Sequence, residues 1–238
     1  AGVVRIAAGA SVYSISSRRI KQKSNTISNK CSTFTVPLKA PNCWINDPNG
    51  FIWYKGQYHL FYQCFPYAPQ WGRMHWGHAV SKDLVNWEKK GIALYPTKID
   101  DRSGCFSGSA VEQDGTLYLY YTGVNYLEEN PEDINQCRND QFFAAQMMIS
   151  SDDGMTFDNV KRKKTVIPPI TEKQIGSKTN TRDPKVWRGK DAWYLVLGSS
   201  IDHKGRLLIY KSSDLQNWTY LSHVEKDNFG WMWECPDY

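Results

Sequence analysis

No Cys-x-x-Cys pair occurs in this chain. Its six cysteines (Cys31, Cys43, Cys64, Cys105, Cys137, Cys235) are scattered, which argues against a zinc site or a dense disulfide framework and predicts mostly buried free thiols. Long apolar runs are missing as well. Stretches such as Trp193 to Gly198 fall far below the ~20 residues that a membrane-crossing helix requires, so no membrane partner is expected. Helical periodicity is almost absent, and there is no glycine-rich loop of the kind that cradles phosphate. Acidic residues are lacking from residues 1–40, which nevertheless hold Arg5, Arg18, Arg19, Lys21, Lys23, Lys30 and Lys39. The formal net charge of +5 therefore belongs to this segment. The remaining residues carry 22 basic against 24 acidic side chains, so the body offers no nucleic-acid footprint.

What the chain does have is aromatic residues, at 14%, within ordinary hydrophobic (41%) and charged (22%) fractions. Disorder and coiled coil are excluded for the body by that composition. At 238 residues a fold can hide roughly 70–75% of its unfolded surface, so a sizeable core is possible. Residues 1–40 read as a basic, disordered tail, Ser-rich and Arg-containing, a composition shared by transit peptides, processed termini and flanking sequence. Residues 41–238 read as one unit.

Within that unit, short alternating runs rich in Tyr, Trp, Val and Ile are split by Gly, Asn, Asp and Pro, an all-β pattern. The pattern repeats. Ser-x-Asp-x-x-x-aromatic occurs as Ser81, Asp83, Trp87; Ser151, Asp153, Phe157; and Ser212, Asp214, Trp218. Each instance closes one predicted strand and opens the next, as a carboxylate bonding its own backbone would. Ahead of each marker come a strand, a Gly-containing turn at Gly56, Gly115 or Gly189, and an aromatic strand. Three four-stranded units result, followed by Trp233 to Tyr238, read as the first strand of a fourth. Such units are blades of a β-propeller, and as propellers close with at least about four, the chain is expected to stop inside its own fold. Alone it is predicted to be inactive and prone to associate.

Four motifs share one register, the start of each unit's first strand: Trp44-Ile45-Asn46-Asp47-Pro48-Asn49-Gly50, Phe106-Ser107-Gly108-Ser109-Ala110, Thr181-Arg182-Asp183-Pro184 and Trp233-Glu234-Cys235-Pro236-Asp237. First strands line a propeller's axis, so these starts converge at one mouth and bring Asp47, Asp183 and Glu234 together. Three carboxylates in a pocket rimmed with Trp and Phe suit glycoside chemistry. Close carboxylates cannot all ionise easily, which predicts a raised pKa on the proton donor. Arg182 is expected to keep neighbouring Asp183 charged. His75 and His78 fall on opposite faces of one strand and read as packing residues. Tyr118, Tyr120 and Trp193 read as inter-blade core, Trp87 as a large buried structural aromatic, and Glu128 to Asp133 and Lys161 to Lys164 as solvated loops.

These blocks resemble the signature of the invertase-type β-fructofuranosidases, glycoside hydrolase family 32, from about Trp44 to the end of the chain. The resemblance implies a five-bladed propeller followed by a β-sandwich, of which this chain supplies three blades and part of a fourth. It implies retaining hydrolysis of sucrose, sucrose 6-phosphate or short fructans through a covalent fructosyl-enzyme, without metal or organic cofactor. Carried over, Asp47 is the nucleophile, Asp183 the transition-state stabiliser and Glu234 the acid and base. Trp44, Asn46, Gln63, Trp71, Phe106, Ser107 and Arg182 fall where the family contacts sugar. Fructosyl transfer by the same carboxylates, or a non-catalytic carbohydrate-binding propeller, are the competing readings. Analogy with bacterial members points to the cytoplasm, and oligomeric state is left open.

Overall fold

A computed structural model describes residues 43–237; the predicted tail, residues 1–40, lies outside them. Three four-stranded antiparallel sheets make up the structure. The first consists of β1 (Trp44–Tyr54), β2 (Gln57–Phe65), β3 (His75–Ser81) and β4 (Glu88–Leu94) in sequential order. The second uses β5 (Gly104–Gln113) and β6 (Thr116–Tyr126), then a small inserted hairpin of β7 (Glu129–Asn130) and β8 (Asp133–Cys137), then β9 (Phe142–Ser151) and β10 (Lys163–Ile167). The third comprises β11 (Thr181–Arg188), β12 (Trp193–Ile201), β13 (Lys204–Ser212) and β14 (Thr219–Glu225). First strands β1, β5 and β11 stand side by side, as the inner strands of adjacent propeller blades do. Trp233 to Tyr238 was expected to be a strand, but its described residues, 233–237, are irregular coil, with Trp233 laid against Gly198 of β12 and Gly205 of β13 and Cys235 bonded to Asp183 of β11.

Blades are held together by what they bury between them. Tyr54, Phe61, Trp76 and Leu94 of the first blade meet Leu117, Leu119, Tyr121, Met147 and Ile149 of the second. Tyr120, Met148 and Ile167 on the second blade's other face meet Val186, Trp193, Leu195, Leu197 and Leu208 of the third. Tyr120 and Trp193 are thus inter-blade core, with Tyr118 packed against it. Strand alternation explains this economy: neighbouring positions on β6 serve opposite interfaces. The third blade's far face carries an apolar groove of about 460 Å³ containing Trp187, Val196, Leu207, Phe229 and Trp233.

The repeated marker is the predicted turn. Ser81 Oγ accepts the amide of Leu84, while Asp83 Oδ1 accepts those of Val85 and Asn86 at 2.9 and 2.7 Å. Asp153 and Asp214 repeat the pattern on Met155 and Thr156, and on Gln216 and Asn217. Hydrogen bonds from the backbone hold the Asp83 carboxyl well below the usual range, which keeps the acceptor charged. The marker aromatics differ from expectation. Trp87, Phe157 and Trp218 are only half-buried, because each follows an exposed turn and lies over the edge of a core cluster. We expect Trp87→Ala to lower the unfolding free energy by about 1–2 kcal/mol, against ~3–5 kcal/mol for Trp76→Ala, whose side chain is fully buried. Urea midpoints of the two variants measure this, and equal losses would refute it.

Lys163 corrects the reading of 161–164 as a solvated loop. It is fully buried and its Nζ lies 2.6 Å from Asp101 Oδ2, which also accepts from Tyr121 OH at 2.8 Å. Asp101 Oδ1 takes the amides of Thr97 and Lys98, so this buried pair is fully hydrogen-bonded. The histidines are packing groups: His78 Nε2 sits 3.0 Å from His59 Nδ1 with its ring stacked on Phe61, and His75 Nδ1 lies 2.8 Å from the Arg73 carbonyl. The described cysteines are free thiols, but only Cys64 and Cys105 are buried.

Candidate active site

The same irregularity interrupts all three inner strands near their starts. Between Ile45 and Pro48, two residues of β1 face one residue of β2. The register slips likewise between Cys105 and Gly108 on β5 and between Arg182 and Lys185 on β11. These are β-bulges, which release residues from the ladder and re-aim their side chains. The released residues are Asn46 with Asp47, Phe106 with Ser107, and Asp183 with Pro184, so three of the four sequence motifs are bulges. At the second bulge the next residue must be glycine, because a Cβ on Gly108 would lie 1.9 Å from the Tyr120 carbonyl oxygen.

A cavity of about 1080 Å³ opens where the bulges converge. Asp47, Asp183 and Glu234 all line it, with Asn46, Gln63, Trp71, Phe106, Ser107 and Arg182. Trp44 does not. Its indole N–H instead donates to Asn46 Oδ1 at 2.9 Å, the first link of a directed chain. Asn46 Nδ2 donates to Gln63 Oε1 (2.8 Å), Gln63 Nε2 to Ser107 Oγ (2.8 Å), and Ser107 Oγ to Asp47 Oδ2 (2.5 Å). Asn46, Gln63 and Ser107 each accept one bond and donate the next, so the chain fixes amide orientation and hydroxyl rotor alike and ends on one carboxylate oxygen. Trp71 meets the Phe106 ring edge-on at 5.5 Å and presents an exposed aromatic surface at the mouth.

Asp183 is the most buried of the three carboxylates. It is 6% exposed and adopts the left-handed conformation at φ +65°, rare for a residue with a Cβ and found where surrounding structure over-determines it. Its amide donates to Thr122 Oγ1 at 3.0 Å, and its Oδ2 accepts the Cys235 amide at 2.9 Å. Burial, reinforced by the charges of Glu234 and Asp47, pushes its carboxyl up to about 6 against the pull of the Cys235 amide and Arg182. A raised value was expected on the proton donor, Glu234 by the resemblance; Asp183 carries one because burial desolvates its carboxyl. Arg182 draws the Asp183 value down as expected, and its Nε and Nη2 also both donate to Glu234 Oε1, at 3.2 and 2.8 Å. Cys235 Sγ lies 3.6 Å from Asp183 Oδ2 and 3.9 Å from Asp47 Oδ2. Desolvation and these carboxylates push its thiol up, so it remains protonated and donates.

A pH dependence follows from Asp183. Its proton leaves the unfolded chain near 3.8 and the folded chain near 6. In that window the folded state binds more protons than the unfolded state, so stability falls as pH rises. Melting curves of the protein and Asp183→Asn across about pH 4 to 7 test this. The parent should lose Tm relative to the variant through the window; parallel curves would show that the group titrates normally.

Asp140, Phe142, Thr179, Asn180, His203, Trp231 and Cys235 also line the cavity. They lie outside the signature blocks, apart from Cys235, and lone residues in loops carry no periodic signal. With this geometry in place, comparison with known proteins is decisive: the Glycosyl hydrolases family 32 N-terminal domain matches residues 38–238. The chain belongs to glycosyl hydrolase family 32. Similar family members include a sucrose-6-phosphate hydrolase of Zymomonas mobilis, 40% identical over 82% of this chain and 38% of that protein. A solved GH32 beta-fructofuranosidase from Bombyx mori is 42% identical, with a TM-score of 0.68, over 82% of this chain and 38% of that one. Fructan 1-exohydrolase IIa from Cichorium intybus is 33% identical, with a TM-score of 0.68, over 84% and 36%. The chain spans about two-fifths of the length of the curated family 32 relatives it matches.

Proposed function

We propose that this chain carries the bond-cleaving centre of a β-fructofuranosidase that releases fructose from sucrose or short fructans, with retention of configuration. The observation supporting this most directly is the hydrogen-bond chain that ends on Asp47, with Asp183 and Glu234 in the same cavity. Asp47 attacks the anomeric carbon of the fructosyl unit while the bond to the leaving oxygen breaks and Glu234 supplies that oxygen's proton. Arg182 fixes Glu234 Oε1, which leaves Oε2 to exchange the proton. Water then gives its proton to Glu234 and attacks the same carbon, releasing fructose and regenerating the Asp47 carboxylate. Asp183 accepts fructosyl hydroxyls deep in the site, where its charge favours the oxocarbenium-like transition state. No step calls for a metal or cofactor.

Incubating the complete protein with sucrose and resolving the products tests the reading. Equimolar glucose and free fructose are expected. Oligosaccharide products would mean transfer instead, and binding without turnover would indicate a carbohydrate-binding propeller.

A further inference from the structure

Two links of the hydrogen-bond chain that ends on Asp47 have a cysteine as backbone neighbour. Cys43 precedes Trp44, whose indole begins the chain, and Cys64 follows Gln63, which carries it on to Ser107. The β1–β2 ladder sets these two thiols near each other. Ile45 pairs with Cys64 and Trp44 with Phe65, so Cys43, two residues before Ile45, continues the same face and stands diagonal to Cys64. Gln63 points to the opposite face. Ile45, Tyr62 and Cys64 pack together on the thiol side. Burial first, and then the charge of neighbouring thiolates, pushes the Cys64 thiol and the Tyr62 phenol up to about 12, and Cys43 is among the charges that both groups feel.

The pair is uneven. Cys64 is 2% exposed, whereas Cys43 is half-buried, at a bend one residue outside the ladder. A small solute therefore meets Cys43 first. Diagonal neighbours on a sheet have Cα atoms roughly 7–8 Å apart, and a disulfide bridges at most about 7 Å. Both thiols are accordingly free in this structure, and joining them requires the backbone at Cys43 to move by about 1 Å. A bend yields to such a pull more easily than a residue paired in a strand, and Trp44 is covalently bound to follow it.

We propose that Cys43 and Cys64 are a reversible disulfide site whose closure pulls Trp44 and Gln63 out of the alignment that holds Asp47; its effect on turnover rests on the fructoside-cleaving reading above. The oxidant is a low-molecular-weight disulfide such as oxidised glutathione. The Cys43 thiolate attacks one of its sulfur atoms, breaking that S–S bond and expelling a glutathione thiolate that takes up the proton Cys43 has lost. With the Cys43 charge gone, Cys64 ionises more easily, and the Gly77 backbone favours its thiolate. Cys64 then attacks Cys43 Sγ and expels the second glutathione, which is protonated in turn. Two protein thiols are oxidised to one disulfide, and one glutathione disulfide is reduced to two thiols.

The test compares the complete protein in its reduced form and after equilibration with oxidised glutathione. Trypsin cuts after Lys55, between the two cysteines, so the oxidised protein is expected to yield peptides 40–55 and 56–73 joined by a disulfide in the mass spectrum. Its kcat/KM on sucrose should fall by about 10- to 100-fold, the scale on which small misplacements of a reacting group are felt, and dithiothreitol should restore it. Cys43→Ser should keep its activity under the same oxidant, and so should Cys64→Ala, in which Cys43 can form only a mixed disulfide. A 43–64 link without loss of activity, or loss without the link, overturns the proposal. So does an equal loss in Cys43→Ser, which would point instead to Cys235 in the cavity. Failure of the reduced parent on sucrose is a separate result that removes the fructoside reading; the joined peptides, which need no turnover, then decide the thiol pair.

Discussion

Asp47→Asn in the complete protein is expected to lower kcat/KM on sucrose by about 10⁴-fold or more, the scale on which loss of a covalent nucleophile is felt. The amide is nearly isosteric and can still accept from Ser107 Oγ, which bonds the native carboxylate, but it cannot form the acylal-like bond to the fructosyl carbon. Because Asp47 sits in a bulge outside the β1–β2 ladder, the thermal midpoint should stay close to that of the parent. Steady-state kinetics together with a melting curve decide the matter. A variant that keeps activity within about tenfold would exclude Asp47 as the nucleophile.

Glu234→Gln is expected to separate substrates by their leaving groups. General acid–base catalysis contributes about 10²–10⁴-fold, and the glucose that leaves from sucrose is a poor leaving group as an alkoxide. Turnover of sucrose should therefore fall by about 10³-fold. An aryl fructoside departs as a stable phenolate, so its first step should be far less affected. The variant also lacks the base that activates water for the second step, and the fructosyl-enzyme should accumulate. The observable is a burst of phenol, stoichiometric with enzyme, followed by slow steady-state release. Equal losses on both substrates without a burst would place Glu234 in substrate positioning rather than proton transfer.

The architecture was legible because its punctuation is local. Ser81, Asp83 and their repeats form a turn from hydrogen bonds spanning two or three residues, and such bonds leave a fixed spacing in any sequence. The three carboxylates were legible because their motifs repeat at one register. Features that depend on distant partners were not. Lys163 lies in a basic stretch, and only the fold shows that its neighbour is Asp101, brought from the segment between β4 and β5. Arg182 adjoins Asp183 in sequence, but only the fold shows that its guanidinium also reaches Glu234, 52 residues away. The upward shift on Asp183 has the same origin, since burial is a property of the surroundings and not of the motif. Asp140 and His203, which also line the cavity, were invisible for another reason: lone residues in loops carry no periodic signal.

The bulges also bear on how this site could change over generations. Residues inside a β-ladder are tied to register, so replacing one disturbs its partners on both sides. Those at 46, 47, 106, 107 and 183 stand outside the pairing, held instead by a few side-chain bonds. Each inner strand thus works as a socket whose occupant can be exchanged while the blade beneath it stays intact. A scaffold of this kind separates inheritance of the fold from inheritance of the chemistry, and it allows new specificities to be sampled one socket at a time without first finding a new way to fold.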